Sequence, residues 1–524
     1  MGSGSSLLAT LPSGEGYAGS ARPAGPDGHG RAGPLPVSAA HRLPAVAGLL
    51  VTGTSSDAGK SLVVTGLCRA WSRAGIRVAP FKSQNMSNNS MVCEDGSEIG
   101  RAQYLQAHAA GVAASSLHNP VLLKPGSDRR AFVVVRGRPA GELIAGEYAT
   151  GRAHLAAAAY AAYEELRSSV DLVVAEGAGS PAEVNLRAGD YVNMGLARRF
   201  GLPTLVVADI DRGGALAALY GTWALLDEAD RRLLRGFVVN KFRGDPDVLA
   251  PGLDVVTGRT GMPWLGTLPW LEDVWLDSED ALSVGRWTPA RTEHSLTVAV
   301  VRFPRVSNAT DVDALAAEPG VQVRVTTDLD LCREADLLVL PGSRATVSDL
   351  AWLRRRGLAD VVAERAARGR AVLGVCGGYQ MLGRTIDDLV ESAAGQVLGL
   401  GCLNATTRFS PEKVLARPRG AWRGHPVVGY QIHHGIVTAD PTFPGGTHEG
   451  RTYGTIWHGT LECDEFRRAW LTEVASGAGS TWSPDPHAAP FAARREAMVD
   501  LLADAVADHL DLDRLLDLAR ETGP

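Results

Sequence analysis

From about residue 46 onward, short runs of β-branched and aliphatic residues alternate with stretches of helical period. The run AGLLVTG precedes a helical stretch through Leu67 and Trp71 that ends near Gly75, and IRVAPF follows. VDLVVAEGAG, PTLVVADIDRGG and RGFVVNKF are apolar at successive positions, as strands are when both faces are covered. This order predicts a doubly wound α/β domain with a parallel sheet over residues 46–270. The acidic, irregular stretch 271–294 reads as a linker. A second α/β pattern is expected over 295–516, from LTVAVVRF through ADLLVLPG and RAVLGVC to the strand-like PVVGYQIHHG and GTIWHG. The closing run REAMVDLLADAVADHLDLDRLLDLAR has helical period and is expected to pack on this second domain. No internal repeat of fixed period is present.

Composition narrows the classes. A chain of 524 residues exceeds one ordinary core, in keeping with two domains. Hydrophobic residues make up 45% and charged residues 21%, and the apolar runs are of strand length, so no membrane span is expected. A net charge of −6 without long single-sign blocks argues against a nucleic-acid surface. The six cysteines, Cys68, Cys93, Cys332, Cys376, Cys402 and Cys463, show no C-x-x-C spacing, which points away from zinc and disulfides and toward a reducing cytoplasm. Residues 1–45, rich in Gly, Ala, Pro and Ser, read as a disordered tail. The opening MGSGSS is read as part of that tail rather than as a lipidation signal. Nothing in the sequence sets the oligomeric state.

The stretch VTGTSSDAGKSL, residues 51–62, has the context of a phosphate loop, after a strand and opening a helix. Gly53, Thr54 and Gly59 would bring backbone N–H groups to phosphate oxygens, Lys60 would reach the terminal phosphate, and Ser61 would ligate Mg²⁺. Five residues, not four, separate Gly53 from Gly59. That spacing resembles the loop of dethiobiotin synthetase and its relatives, which use ATP to phosphorylate a carboxylate. Partition and division-site ATPases carry an extra lysine where this chain has Ser55. Asp57, and Glu176 at a strand's end, are the candidate metal partners beside Ser61. A solvated loop position is the plainer account of Glu176.

GVCGGYQMLG, residues 374–383, sets Cys376 between an apolar strand and a helix, with flanking glycines that permit the strained turn of a nucleophile elbow. The pattern resembles class I glutamine amidotransferases. By that resemblance Cys376 attacks the side-chain amide of L-glutamine, Gly377 and the loop around Gly342 supply oxyanion donors, and Gln380 helps hold the substrate. His458 is the expected base, with His433 and His434 as competitors. Thr460 stands where many of these enzymes place an orienting glutamate, so either a Cys–His dyad operates or another acidic group serves.

Further segments, among them FKSQNMSNNS, NPVLLKPGSD, VVAEGAGSPAEVNLRAGDYVNMGLA, VVADIDRGGALAALYGT and PRVSNATDVDAL, make the chain similar over about residues 46–510 to the glutamine-hydrolysing cobyric acid synthases of cobalamin biosynthesis. The resemblance implies a P-loop dethiobiotin-synthetase-like domain followed by a class I amidotransferase-like domain. It implies ATP and Mg²⁺ as cofactors, with adenosylcobyrinic acid a,c-diamide and L-glutamine as partners. The b, d, e and g carboxylates would be amidated through acyl phosphates. Lys82 and Lys124 would neutralise phosphate or corrin carboxylates, or stand as ordinary surface lysines. Asn240 would lie at the nucleotide base, and Asp209 and Asp211 near the phosphoryl transfer, although helix capping accounts equally for Asp211. The chain departs from the family at Ser83, at Arg130-Ala131-Phe132, and at Gln431 and His434. Two alternatives stand beside this reading. One is amidation of another carboxylate set, as in cobyrinic acid a,c-diamide synthase. The other is a nucleotide-switched binding protein with a degenerate glutaminase domain.

Overall fold

The computed structural model describes residues 47–127, 130–144, 152–272, 274–275 and 295–521. The expected tail lies outside these residues, as does most of the expected linker. Strand Ala47–Gly53 is central to a six-stranded sheet ordered Trp264–Pro269, Leu234–Phe242, Thr204–Asp209, Ala47–Gly53, Leu172–Glu176, Val78–Phe81. Every pairing in it is parallel. The unbroken apolar runs follow from two-sided burial. Leu49 and Val51 pack toward helix Lys60–Arg73, with Val63, Leu67 and Trp71. Leu50 points the other way, toward Phe81, Tyr163 and Leu196. In register, Val51 lies beside Glu176 and Gly53 beside Val207, so the loop after Gly53 and the Glu176 carboxylate share the carboxyl edge, where parallel sheets bind ligands. A smaller four-stranded sheet, Gln84–Met86, Val121–Ser127, Arg130–Val135 and Arg138–Ile144, is appended to this half.

The second half is built on a sheet ordered Val321–Thr326, Leu296–Val301, Leu337–Leu340, Ala371–Val375, Thr452–Thr455, Gly446–Glu449, parallel except for the last strand. PVVGYQIHHG does not enter it. His425–Val428 forms a two-stranded ribbon, and Gln431–Thr438 edges a separate four-stranded sheet.

The C-terminal helices correct an expectation. Helices Phe491–His509 and Leu512–Arg520 run back to the first sheet, where Val506, Leu510, Leu515 and Leu518 join Leu49, Val51 and Val63 in one core. Only the start of this segment, Phe491, lies in the core of the second half. Arg69 and Arg73 on helix Lys60–Arg73 clamp the returning helix through Glu496, Asp500 and Asp504. An amphipathic pattern fixes which face is buried but not against what.

Candidate active sites

At the first site, Gly59 caps helix Lys60–Arg73 with φ 96°, a backbone that an L side chain rarely adopts. The Lys60 ammonium folds back over the loop and donates to the carbonyl oxygens of Ser55 (2.9 Å) and Gly179 (3.1 Å). Thr54 N–H donates to Val207 O, tying the loop to the sheet. Ser61 Oγ donates to Glu176 Oε1 (2.8 Å), Lys82 Nζ reaches the same oxygen (2.8 Å), and Gln106 Nε2 donates to Oε2 (2.6 Å). Glu176 is fully buried; burial by itself would raise its pKa, but the Lys82 ammonium and the three donors outweigh it and hold the carboxyl below its ordinary range. It is therefore no solvated loop residue.

Asp57 and Asn240 stand apart from the Ser61–Glu176 cluster in this structure. Asp57 does not join Ser61 and Glu176: its backbone is left-handed (φ 58°), and its half-exposed carboxylate faces Arg212 at 3.4 Å. Asn240, expected at the nucleotide base, is buried and gives its amide to Ala58 O (2.9 Å), so in this conformation it braces the loop from beneath. Lys241 holds Asp209 (2.6 Å) and also donates to Asp57 O (2.7 Å). Among the described residues no three His, Cys, Asp or Glu side chains converge as a metal cage. The oxygens of Ser61 and Glu176 nevertheless suit Mg²⁺, which commonly takes one or two protein ligands and completes its shell with phosphate and water.

Lys124 is no surface lysine either. It is buried against Ser90 Oγ (2.8 Å) and Glu98 Oε1 (2.7 Å), and burial pushes its pKa down to about 8. Glu98 also pairs with Lys413 of the second half. Phe132, at one of the departures, carries the Arg344 guanidinium 3.6 Å from its ring centroid.

At the second site, strand Ala371–Val375 ends on Cys376, whose φ of 49° and ψ of −106° are strained for a side-chain-bearing residue, as at a nucleophile elbow. Helix Gly377–Leu382 follows. Close packing fixes the turn: a Cβ on Gly377 would lie 2.8 Å from Ser343 N, and one on Gly342 would lie 3.2 Å from His458 Cε1. Gln380 accepts from Thr346 Oγ1 (3.2 Å) and donates to Gly435 O (3.3 Å). The Cys376 side chain is close enough to His458 to help raise its pKa. The competitors of His458 sit differently. Burial pushes His433 down to about 4 and so keeps it neutral, while His434 Nδ1 lies 3.0 Å from Ser410 O.

The question left by Thr460 has a geometric answer in Asp311. Its Oδ2 lies 2.7 Å from His458 Nδ1, and its Oδ1 accepts the Gly459 N–H (2.8 Å). Burial by itself would lower the His458 pKa, but the Asp311 carboxylate and the Cys376 sulfur raise it to about 10. Sequence reasoning quoted Asp311 only within PRVSNATDVDAL. A carboxylate 147 positions from its histidine, with Asp313 two residues on, carried no signal that singled it out.

A strand-elbow-helix cysteine with a buried histidine and aspartate, in one chain with a phosphate loop, has the parts of a ligase that draws nitrogen from glutamine. Comparison with known proteins agrees. Residues 49–284 match the CobQ/CobB/MinD/ParA nucleotide binding domain, and residues 297–466 match the CobB/CobQ-like glutamine amidotransferase domain. The protein is a glutamine-dependent amidoligase. Its relatives include proteins named cobyric acid synthase. The one from Cutibacterium acnes is 62% identical over 482 residues, covering 90% of this chain and 100% of its own. Those from Mycolicibacterium gilvum and Rhodococcus jostii are 55% and 54% identical, each covering 91% of this chain and 97% and 96% of their own. The chain belongs to the cobyric acid synthase family.

Proposed function

We propose that this enzyme converts adenosylcobyrinic acid a,c-diamide to adenosylcobyric acid in the cytoplasm, amidating the b, d, e and g carboxylates with ATP, Mg²⁺ and L-glutamine. The observation that carries the reading is the pairing of the Lys60–Ser61–Glu176–Lys82 cluster with the Cys376–His458–Asp311 set in one chain. Residues 46–270 supply the activating site and the segment from 295 supplies the glutaminase.

At the activating site a corrin carboxylate oxygen attacks the terminal phosphorus of ATP, the bridging P–O bond breaks, and ADP leaves an acyl phosphate. Lys60 exchanges its loop carbonyls for phosphate oxygens, and Lys82 neutralises charge beside Glu176. Mg²⁺, held by Ser61 and Glu176, would neutralise phosphate charge there. At the glutaminase, the Cys376 thiolate attacks the amide carbon, and backbone around Gly377 and Gly342 stabilises the oxyanion. Gln380 positions the substrate, and the His458 imidazolium gives a proton to departing ammonia. Water then cleaves the thioester, with His458 taking its proton, and glutamate leaves. Ammonia attacks the acyl phosphate carbon, expelling inorganic phosphate and forming the amide.

The test is mass spectrometry of the corrinoid after incubation with ATP, Mg²⁺ and either glutamine or ammonium, for wild type and Cys376→Ala. Wild type should add four amides from either source, and the variant should lose only the glutamine-dependent reaction. No amide added by wild type from either source would sink the substrate assignment.

A further inference from the structure

The turn that carries Asp311 is held from the other half of the molecule. Asn308 precedes the short helical turn Ala309–Val312 with a left-handed backbone (φ 52°, ψ 49°), and its own carbonyl accepts the Asp311 N–H (3.1 Å). Asparagine is among the few residues that tolerate this backbone. Its side chain faces the first half, where Oδ1 accepts the Ser90 N–H (2.9 Å). The contact is reciprocal: Asn89 Oδ1 accepts the Ala309 N–H (3.2 Å), and Ser307 Oγ donates to Asn88 O (2.9 Å). Asn89 and Asn308 are both almost completely buried. On one side, this loop begins six residues after Lys82, which is bound to Glu176. On the other, Val306–Ser307 pairs antiparallel with Gly342–Ser343, against which Gly377 packs. The residues that orient His458 and those that flank the elbow thus hang on two asparagine side chains spanning the halves.

We propose that Asn89 and Asn308 are positioning residues through which the nucleotide-binding half holds Asp311, and with it His458, in register with Cys376. The inference rests on the glutaminase assignment above. It makes the glutaminase dependent on a loop that belongs to the activating half and that reaches His458 through the Asn308 turn and Asp311. Each acts through the Asp311 turn.

The substitutions separate side chain from backbone. Asn308→Gly removes the acceptor while keeping a residue at ease at positive φ, Asn89→Ala removes the reciprocal acceptor, and Asn308→Asp keeps both acceptor and backbone. Glutamate release and corrinoid amidation are followed in parallel in the full-length protein, with glutamine or with ammonium. Since misplacement of catalytic groups by about 1 Å can cost about 100-fold, Asn308→Gly and Asn89→Ala should lower glutamine-dependent kcat about 10- to 100-fold. Ammonium-dependent amidation should stay within about twofold of wild type, and Asn308→Asp should recover most of the glutamine-dependent rate. Equal losses with both nitrogen sources would mean a general folding defect and overturn the proposal, as would unchanged glutamate release. Wild type that releases glutamate but leaves the corrinoid unamidated would refute the substrate reading alone, with the variants still compared through glutamate. Wild type that releases no glutamate would overturn both.

Discussion

Asp311 uses both carboxylate oxygens, one for the His458 ring and one for the Gly459 backbone, so it fixes the imidazole's orientation and the path of the chain that carries it. Asp311→Asn can keep one acceptor, but its amide hydrogens oppose the ring N–H and favour the wrong tautomer. Glutamine-dependent kcat/KM should fall by about 10²- to 10⁴-fold, with ammonium-dependent amidation retained. Stability should respond to pH with a definite sign. The His458 pKa is raised from 6.5 to about 10 in the fold, so its pairing stabilises fully below 6.5 and the contribution fades as pH rises through about 10. Thermal melts of wild type and Asp311→Asn should differ most near pH 6 and converge toward pH 10; a gap that widens with pH would count against the pair. The places of Lys60, Ser61 and Cys376 were legible in sequence, because spacing and local backbone fix the loop and the elbow that carry them. Asp311 was not, because its place beside His458 exists only once the second sheet brings two distant segments together. Asp57 and Asn240 mark the same limit from the other side: the loop motif located Asp57 and the family resemblance located Asn240, but their side-chain directions depend on Arg212 and the Ala58 carbonyl.

At the scale of elements, the sheet order and the phosphate-loop helix followed from runs whose two-sided burial leaves a sequence trace. The partner of the last helices left none. Where helix Phe491–His509 crosses helix Lys60–Arg73, Gly66 allows the approach: a Cβ there would lie 2.7 Å from both Leu502 O and Val506 Cγ1. Two effects compete in Gly66→Ala. Helix propensity favours alanine by about 1 kcal/mol. Overpacking costs about 1–3 kcal/mol, toward the upper end here because a backbone oxygen cannot rotate away as a side chain can. The net result should be a lower thermal midpoint. Gly258→Ala is the matched contrast, since it also lies in a helix but meets nothing within 4 Å; it should raise the midpoint modestly. If both substitutions stabilise, the close crossing of the C-terminal helix on the first half is wrong.

Across the whole molecule, one segment of the first half, residues 88–101, meets the second half repeatedly, at the Asp311 turn, at Lys413 and at Glu462 among other contacts. Glu462 lies four residues beyond His458 and is gripped by Arg101 (2.6 Å) and by Arg495 (2.9 Å), the latter from the helix that returns to the first sheet. Burial would raise its pKa, but the two guanidiniums overcome that and draw it down to about 2. A carboxylate depressed from 4.5 to about 2 contributes its stability in full above pH 4.5 and loses it as pH falls toward 2. Glu462→Gln removes this charge and leaves Arg101, almost wholly buried, facing a neutral amide. Because Glu462 keeps 23% of its side-chain exposure, the expected cost is about 1–3 kcal/mol, the range of a charge-assisted hydrogen bond, and less than that of breaking a fully buried pair. The variant should melt lower than wild type at pH 7, with the difference shrinking as pH drops below about 4.5. Because the same contact anchors the chain just past His458, glutamine-dependent turnover should fall more than ammonium-dependent turnover. A stability loss constant from pH 7 to pH 3, or equal losses with both nitrogen sources, would show that Glu462 does not join the halves in this way.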